Sequence, residues 1–266
     1  MRIIRYEDGP VPRYARALGD GTAVPCDGDP FAGLVETADA FEIDSVRLLP
    51  PVVPTKVVGV GLNYRDHAAE HHAALPTEPL LFHKPPSSLL PHGGQIQLHR
   101  PQNRNDEEIE LVVVIGRRAR RVSVADALGY VLGYTIGNDV TDRDTQVDDR
   151  SWPSRAKGFD SYGPVGPWIE TDLDPSGLGL RATINGVIAQ EGNTSDLLFD
   201  VAHLVSFISH ASTLEPGDLI FTGTPSGVSE IRPGDEVELE IEGLGKLRNS
   251  VGVVENRSGG STRADH

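Results

Sequence analysis

Residues 108–116 read Glu-Ile-Glu-Leu-Val-Val-Val-Ile-Gly, an apolar β-branched run that opens on two carboxylates and closes on glycine. In a strand, successive side chains point to opposite faces. Glu108, Glu110, Val112 and Val114 therefore share one face, and Ile109, Leu111, Val113 and Ile115 the other. A strand that is apolar on both faces belongs between two packed layers, so the chain must build material on either side of it. Two carboxylates two residues apart are costly in such a place. Each raises the pKa of the other, and burial raises both, unless a cation neutralises them. The pattern alone leaves two readings: a strand end that emerges into water with Asp106, Glu107 and Glu108 solvated, or a cation site. The second reading has only oxygen ligands to offer and so predicts a hard cation such as Mg²⁺ or Mn²⁺, with a third oxygen donor elsewhere. Asp139, which abuts the apolar run Gly133–Asn138, is the candidate.

The rest of the chain fits a mainly β protein of the α+β kind. In 266 residues there are 29 glycines and 20 prolines, which predicts many turns and short strands rather than a helical bundle. Residues 1–54 read as a small N-terminal β module ending in a proline-rich connector (Pro50, Pro51, Pro54), 55–255 as the main domain, and 256–266 as a polar, flexible tail. Within the main domain, KVVGVGLN is a buried strand and RDHAAEHHAA one or two turns of helix. Segment 75–104 is mostly loop around a short strand at Leu80–Phe82. Ser123 caps a short helix with Asp126 three residues on, and Asn185-Gly186 between alternating residues marks a hairpin. Leu197, Leu198, Val201, Leu204, Val205 and Ile208 follow helical spacing, with Thr194-Ser195-Asp196 expected as the cap.

A net charge of −15 argues against nucleic acid or an anionic membrane as a partner. No apolar run approaches the roughly 18 residues that a membrane span needs. MRIIRYEDG shows no export signal, and the lone Cys26 excludes an internal disulfide and a thiolate metal cluster, so a cytoplasmic location is expected.

Several polar residues are candidates for chemistry. His67 and Glu70 lie three apart, neighbours on a helix face, where a carboxylate fixes the tautomer of an imidazole and raises its basicity. The same stretch, His67 to His71, also spells the H-x-x-E-H of inverted zinc peptidases, a rival that needs a continuous helix and a distant third ligand. Lys84 and Lys157 are two of only four lysines and sit in Gly/Pro-rich loops, where either can steady an oxyanion. Thr222-Gly223-Thr224-Pro225 follows an apolar strand and can present N–H groups to an oxygen-rich ligand, or simply form a turn.

Taken in order, VGLNYRDHAAE, FHKPPSSL, DEEIELVVVIG, YTIGNDVTDRDTQ, RAKGFD, GNTSDLLF and LEPGDLIFTGTPSGV closely resemble the fumarylacetoacetate hydrolase family, from about Lys56 to Val254. The resemblance implies a mixed β-roll with one long and several short helices, a homodimer, and one Mg²⁺ or Mn²⁺ per chain held by Glu108, Glu110 and Asp139. It implies a His67–Glu70 dyad on a short lid helix and an active-site Lys157. Arg143 and Gln146, with Lys84 and Thr222–Thr224, are the expected substrate contacts. The activity implied is cleavage of a C–C bond in an acylpyruvate or β-diketo acid by activated water. Decarboxylation of an oxaloacetate-like acid or isomerisation of a 2-hydroxy-diene-dioate are the alternatives on the same site, and an inactive binding subunit is a remote one. Asp142, His83 and Glu107 depart from the family pattern, and a carboxylate at 142 beside Arg143 argues against a strongly dianionic substrate.

Overall fold

The structure is a computed structural model that describes residues 1–37, 39–70, 74–150 and 152–254. At its centre the strand Ile109–Ile115 is flanked on both edges: Val131–Asn138 pairs with it antiparallel on one side and Leu219–Phe221 on the other. The sheet continues through Val57–Gly61, parallel to Leu219–Phe221, and ends at Leu80–Lys84. In the other direction Val131–Asn138 pairs with Gly163–Glu170, and that strand with Arg2–Tyr6, so the N-terminal strands extend the same sheet.

The two faces of the central strand enter different cores, as its double apolar pattern requires. Ile109, Leu111, Val113 and Ile115 pack with Ile136 and with Leu204, Val205 and Ile208 of the helix Val201–Ala211. They also meet Leu180, Leu239 and Leu247 from a second, five-stranded sheet. Val112 and Val114 pack with Ile3, Val57, Val165 and Phe221. A third sheet of three short strands joins Asn105–Glu107 to Thr141–Asp142 and Ser229–Glu230. Parallel and antiparallel pairings coexist, and the architecture is the expected mainly β mixed roll with few helices.

Local expectations are met where short-range chemistry decides them. Asn185 and Gly186 both take positive φ (52° and 77°), closing the hairpin between Gly179–Ile184 and Val187–Asn193. Ser123 accepts the Asp126 N–H at the head of a 3₁₀ segment, Val124–Tyr130. The long helix starts later than expected. Thr194–Asp196 forms its own 3₁₀ turn, capped by Asn193, and Asp200 caps the helix by accepting the His203 N–H at 2.8 Å. The reason is tertiary: the N–H groups of Leu198 and Phe199 donate to the backbone and side-chain oxygens of Asn63, which keeps the intervening chain extended. The polar tail 256–266 lies outside the described residues. No helix among the described residues is long and apolar enough to cross a membrane.

Candidate active site

The alternation that divides the core also builds the site. Asp106, Glu108 and Glu110 share one face of an extended segment and line a cavity of about 710 Å³ together with Asp139, His67, Arg143 and Lys157. Asp106, Glu107 and Glu108 are all buried, which overturns the reading of a strand end solvated by water. Glu108, Glu110 and Asp139 each offer an oxygen within 4.8 Å of the others, and none is more than 4% exposed. Asp139 reaches them because its N–H donates to the Glu108 carbonyl as Val131–Asn138 ends.

Three basic side chains lean on this group. The Lys157 ammonium donates to Asp139 Oδ2 at 2.6 Å, Glu108 Oε2 at 2.9 Å and Thr141 Oγ1 at 2.7 Å. Lys84 donates to Asp139 Oδ1 at 2.7 Å and to the Lys157 carbonyl, and Arg143 Nη2 donates to Glu108 Oε1 at 2.5 Å. Burial alone would raise the Glu108 pKa, but Lys157 and then Arg143 outweigh it and hold the carboxyl well below its ordinary range. Glu110 behaves oppositely: burial, then Asp139 and Glu108, push it up, and its direct partner is the Gly223 N–H at 2.8 Å. An all-oxygen set in which, among the described residues, one buried carboxylate has no hydrogen-bonded cation suits a hard divalent ion.

Gly223 is required where it stands. Its φ is +100°, and a Cβ there would lie 2.7 Å from Asn63 Cβ. Asn63 in turn donates to the carbonyls of Thr222 and Phe199, tying the turn to the strand Val57–Gly61 that precedes it. Thr224 lines the cavity, whereas Thr222 is turned away and its hydroxyl donates to the Leu111 carbonyl. Lys84 is likewise buried, off the cavity wall, with its ammonium donating to Asp139.

His67 sits on the six-residue helix Arg65–Glu70, lines the cavity and is 6% exposed. Its Nδ1 lies 3.3 Å from Glu70 Oε2, and the Gly227 N–H holds the Glu70 carboxylate from behind. Asp66 anchors the helix by accepting the Ser226 hydroxyl at 2.7 Å. His71, which the inverted zinc-peptidase motif needs, lies outside the described residues. Among the described residues, the group with metal-ligand spacing is the oxygen-only Glu108–Glu110–Asp139 set.

Gln146 lines the cavity as expected, but the Arg143 guanidinium donates to Asp106, Gln146 and Glu108 and not to Asp142. Its oxygens accept the Thr145 N–H and hydroxyl, capping the helix Arg143–Asp148, and the Asn103 amide. Asp142 therefore puts no carboxylate against the Arg143 guanidinium to oppose a dianionic ligand. Asp106, Arg104, Asn63 and Gln190 are site residues that the sequence reading passed over. Asp106 had a signal, since it precedes Glu108 by two residues. Gln190, whose Oε1 accepts the Ile109 N–H and whose amide donates to Thr224 Oγ1 at 2.9 Å, had none.

The fold and this constellation define a class of buried-carboxylate β-roll enzymes, and comparison with known proteins says which. Residues 56–252 match the family described as fumarylacetoacetate (FAA) hydrolase C-terminal, and residues 1–51 match a segment described as Rv2993c-like, N-terminal. The chain belongs to the fumarylacetoacetate hydrolase family and is one of its enzymes. It is 43% identical over 207 residues to a 2,4-didehydro-3-deoxy-L-rhamnonate hydrolase of Sphingomonas sp., covering 74% of this chain and 73% of that one. A 2-hydroxyhepta-2,4-diene-1,7-dioate isomerase from Mycobacterium marinum superposes with a TM-score of 0.88 at 41% identity, covering 96% and 99% of the two chains. A maleylpyruvate hydrolase from Sphingobium sp. SYK-6, solved with manganese(II) and pyruvate, superposes at 0.79 with 26% identity, covering 96% of this chain and 100% of that one.

Proposed function

We propose that this enzyme is a divalent-metal-dependent hydrolase that cleaves a C–C bond in an acylpyruvate or β-diketo acid. The observation that carries the reading is the placement of three buried carboxylates, Lys157 and the His67–Glu70 pair on one cavity. Glu108, Glu110 and Asp139 would hold Mg²⁺ or Mn²⁺, and the manganese in the Sphingobium relative supports that ligand class. Such a cation supplies Lewis acidity toward the oxygens of a 1,3-dicarbonyl or 2-oxo acid.

The chain's own residues supply the rest. Glu70 faces His67 Nδ1 and so favours the tautomer that presents Nε2 as a proton acceptor. His67 takes a proton from water, and the resulting hydroxide adds to the acyl carbonyl. The bond to the neighbouring CH₂ then breaks, and its electron pair leaves as the enolate of pyruvate, which takes back the proton. The products are pyruvate and the free acid. Lys157, held at Glu108 and Asp139, would put a positive charge near the oxygens on which negative charge grows. The six-residue helix that carries His67 is short enough to move as a lid and exclude solvent. The enzyme acts as a homodimer in this reading, for which the exposed Val147, on the cavity wall, and the exposed Trp152 offer apolar surface.

The likeness to the M. marinum isomerase favours a second reading, in which the same groups move a proton between two carbons of a 2-hydroxy-diene-dioate and water stays out. Metal-stripped, Mg²⁺-reconstituted protein given fumarylpyruvate, oxaloacetate or the diene-dioate in parallel separates these. Pyruvate plus free acid from the first arm is the expected result. Turnover of only the second or third would replace hydrolysis by decarboxylation or isomerisation. His67→Ala should abolish turnover while the metal still binds, and full activity in that variant would remove the dyad from the mechanism.

A further inference from the structure

Arg143, the guanidinium expected to meet the acid end of a substrate, is already committed to the protein. Its Nε donates to Asp106 Oδ2 at 2.8 Å, Nη1 to Gln146 Oε1 at 3.3 Å and Nη2 to Glu108 Oε1 at 2.5 Å. Its side chain is only 16% exposed. Arg143 is thus a positioning residue: with Lys157 on the other oxygen, it fixes the Glu108 carboxylate from both sides.

A second guanidinium shares the cavity and is not committed in this way. Arg104 Nε donates to Asp106 Oδ1 at 2.8 Å, so one carboxylate bridges the two arginines. Among the described residues its Nη groups donate to nothing, and its side chain is 54% exposed while lining the cavity. The backbone that carries it is clamped on both sides. The Arg104 N–H donates to Asp144 Oδ2 at 2.7 Å, and the Arg104 carbonyl accepts the Arg143 N–H at 2.8 Å. The Nε anchor leaves the two Nη groups of a planar fork without a hydrogen bond among the described residues, with the Glu230 carboxylate acting on the guanidinium by charge alone; such a donor fork takes a carboxylate bidentately.

Its position suits one end of a longer acid. Asp106 and Glu108 are alternate residues of one extended face, which sets the Arg104 anchor on the order of 7 Å along the wall from Glu108. Leu80, Val147 and Pro153 give the cavity an apolar side along which a short carbon chain can lie.

We propose that Arg104 is the specificity-determining residue for a second, distal carboxylate, so that the site selects oxo acids with an acid group at each end over those with one. The assignment rests on the oxo-acid reading of the site and deepens it. A matched pair tests it without turnover: 2-oxoadipate and 2-oxohexanoate share a six-carbon chain and a 2-oxo acid head, and differ in a terminal carboxylate against a methyl. Isothermal titration of each into Mg²⁺-loaded protein is expected to show 2-oxoadipate binding about tenfold or more tightly. Arg104→Gln should bring the two affinities to within about twofold of each other, and Arg104→Lys should keep part of the preference. Arg143 still holds Asp106 in both variants, so the wall is preserved. Equal affinities in the wild type, or a full preference in Arg104→Gln, would overturn the role of Arg104 and leave the oxo-acid site standing. Failure of the wild type to bind either acid would bring down both.

Discussion

The Lys157 ammonium lies 2.6 Å from Asp139 Oδ2, with both side chains almost wholly buried. Burial on its own would drive the lysine pKa down; Asp139 and then Glu108 reverse that and raise it, so the amine is a fixed positive charge. The three carboxylates are therefore partly compensated before any metal arrives. Lys157→Met removes that charge and leaves Glu108 and Asp139 to repel each other in a low-dielectric setting. The metal-free variant should lose about 3–5 kcal/mol of stability, the cost of orphaning a buried ionic partner. Added Mg²⁺ should recover part of it, which denaturant titrations with and without the ion would read. A metal-free variant as stable as the wild type would show that Lys157 does not carry this balance.

Glu107 makes the stability of the protein depend on pH. It is fully buried on the other side of its strand, and among the described residues neither carboxylate oxygen finds a hydrogen-bond partner. Burial first, then Glu108 and Asp106, raise its pKa well above the ordinary value, and the Arg143 charge offsets only part of this. The folded protein keeps the proton at a pH where the unfolded chain has released it. Wild-type stability should thus fall as pH rises above the ordinary carboxylate range, by about 1.4 kcal/mol per unit until the folded pKa is reached. Glu107→Gln should be more stable at pH 7, with the gain shrinking toward pH 4. A gain that does not change with pH would assign it to packing instead.

Gly223→Ala tests the turn beneath Glu110. At φ +100°, with Asn63 Cβ at 2.7 Å, the added methyl forces the turn away from the carboxylate that its N–H holds. A loss of about 1–3 kcal/mol in stability is expected, together with weaker metal binding by calorimetry. Unchanged binding in a destabilised variant would separate the turn from the ion.

How much of this was legible in the chain follows from how local each cause is. The double-faced strand at 108–116, the Asn185-Gly186 turn and the Ser123 cap are written in neighbouring residues, and each is found where its chemistry puts it. The start of the long helix was displaced because Asn63, more than a hundred residues away, holds Leu198 and Phe199. Asp106 could have been read from its spacing to Glu108, but which arginine is spent on protein and which keeps free donors depends on how residues 104–108 and 143–146 meet. The same holds for Asp142, whose role as a helix cap becomes visible only with Asn103 and Thr145 in place.

That later start carries its own test. Asp200→Ala removes the carboxylate that accepts the His203 N–H and should cost about 1 kcal/mol. Ser195→Ala should cost little by comparison, since residue 195 stands in a separate turn. Thermal unfolding of the two variants side by side would check the order.

The most direct measurement is a Mn²⁺ titration of the stripped enzyme, followed by electron paramagnetic resonance alongside fumarylpyruvate turnover. Metal-dependent hydrolysis at this site requires one saturable site per chain, turnover that rises in step with its occupancy, and loss of both in Glu110→Gln or Asp139→Asn. Turnover that is indifferent to bound metal, or an occupied site that survives both substitutions, would contradict it.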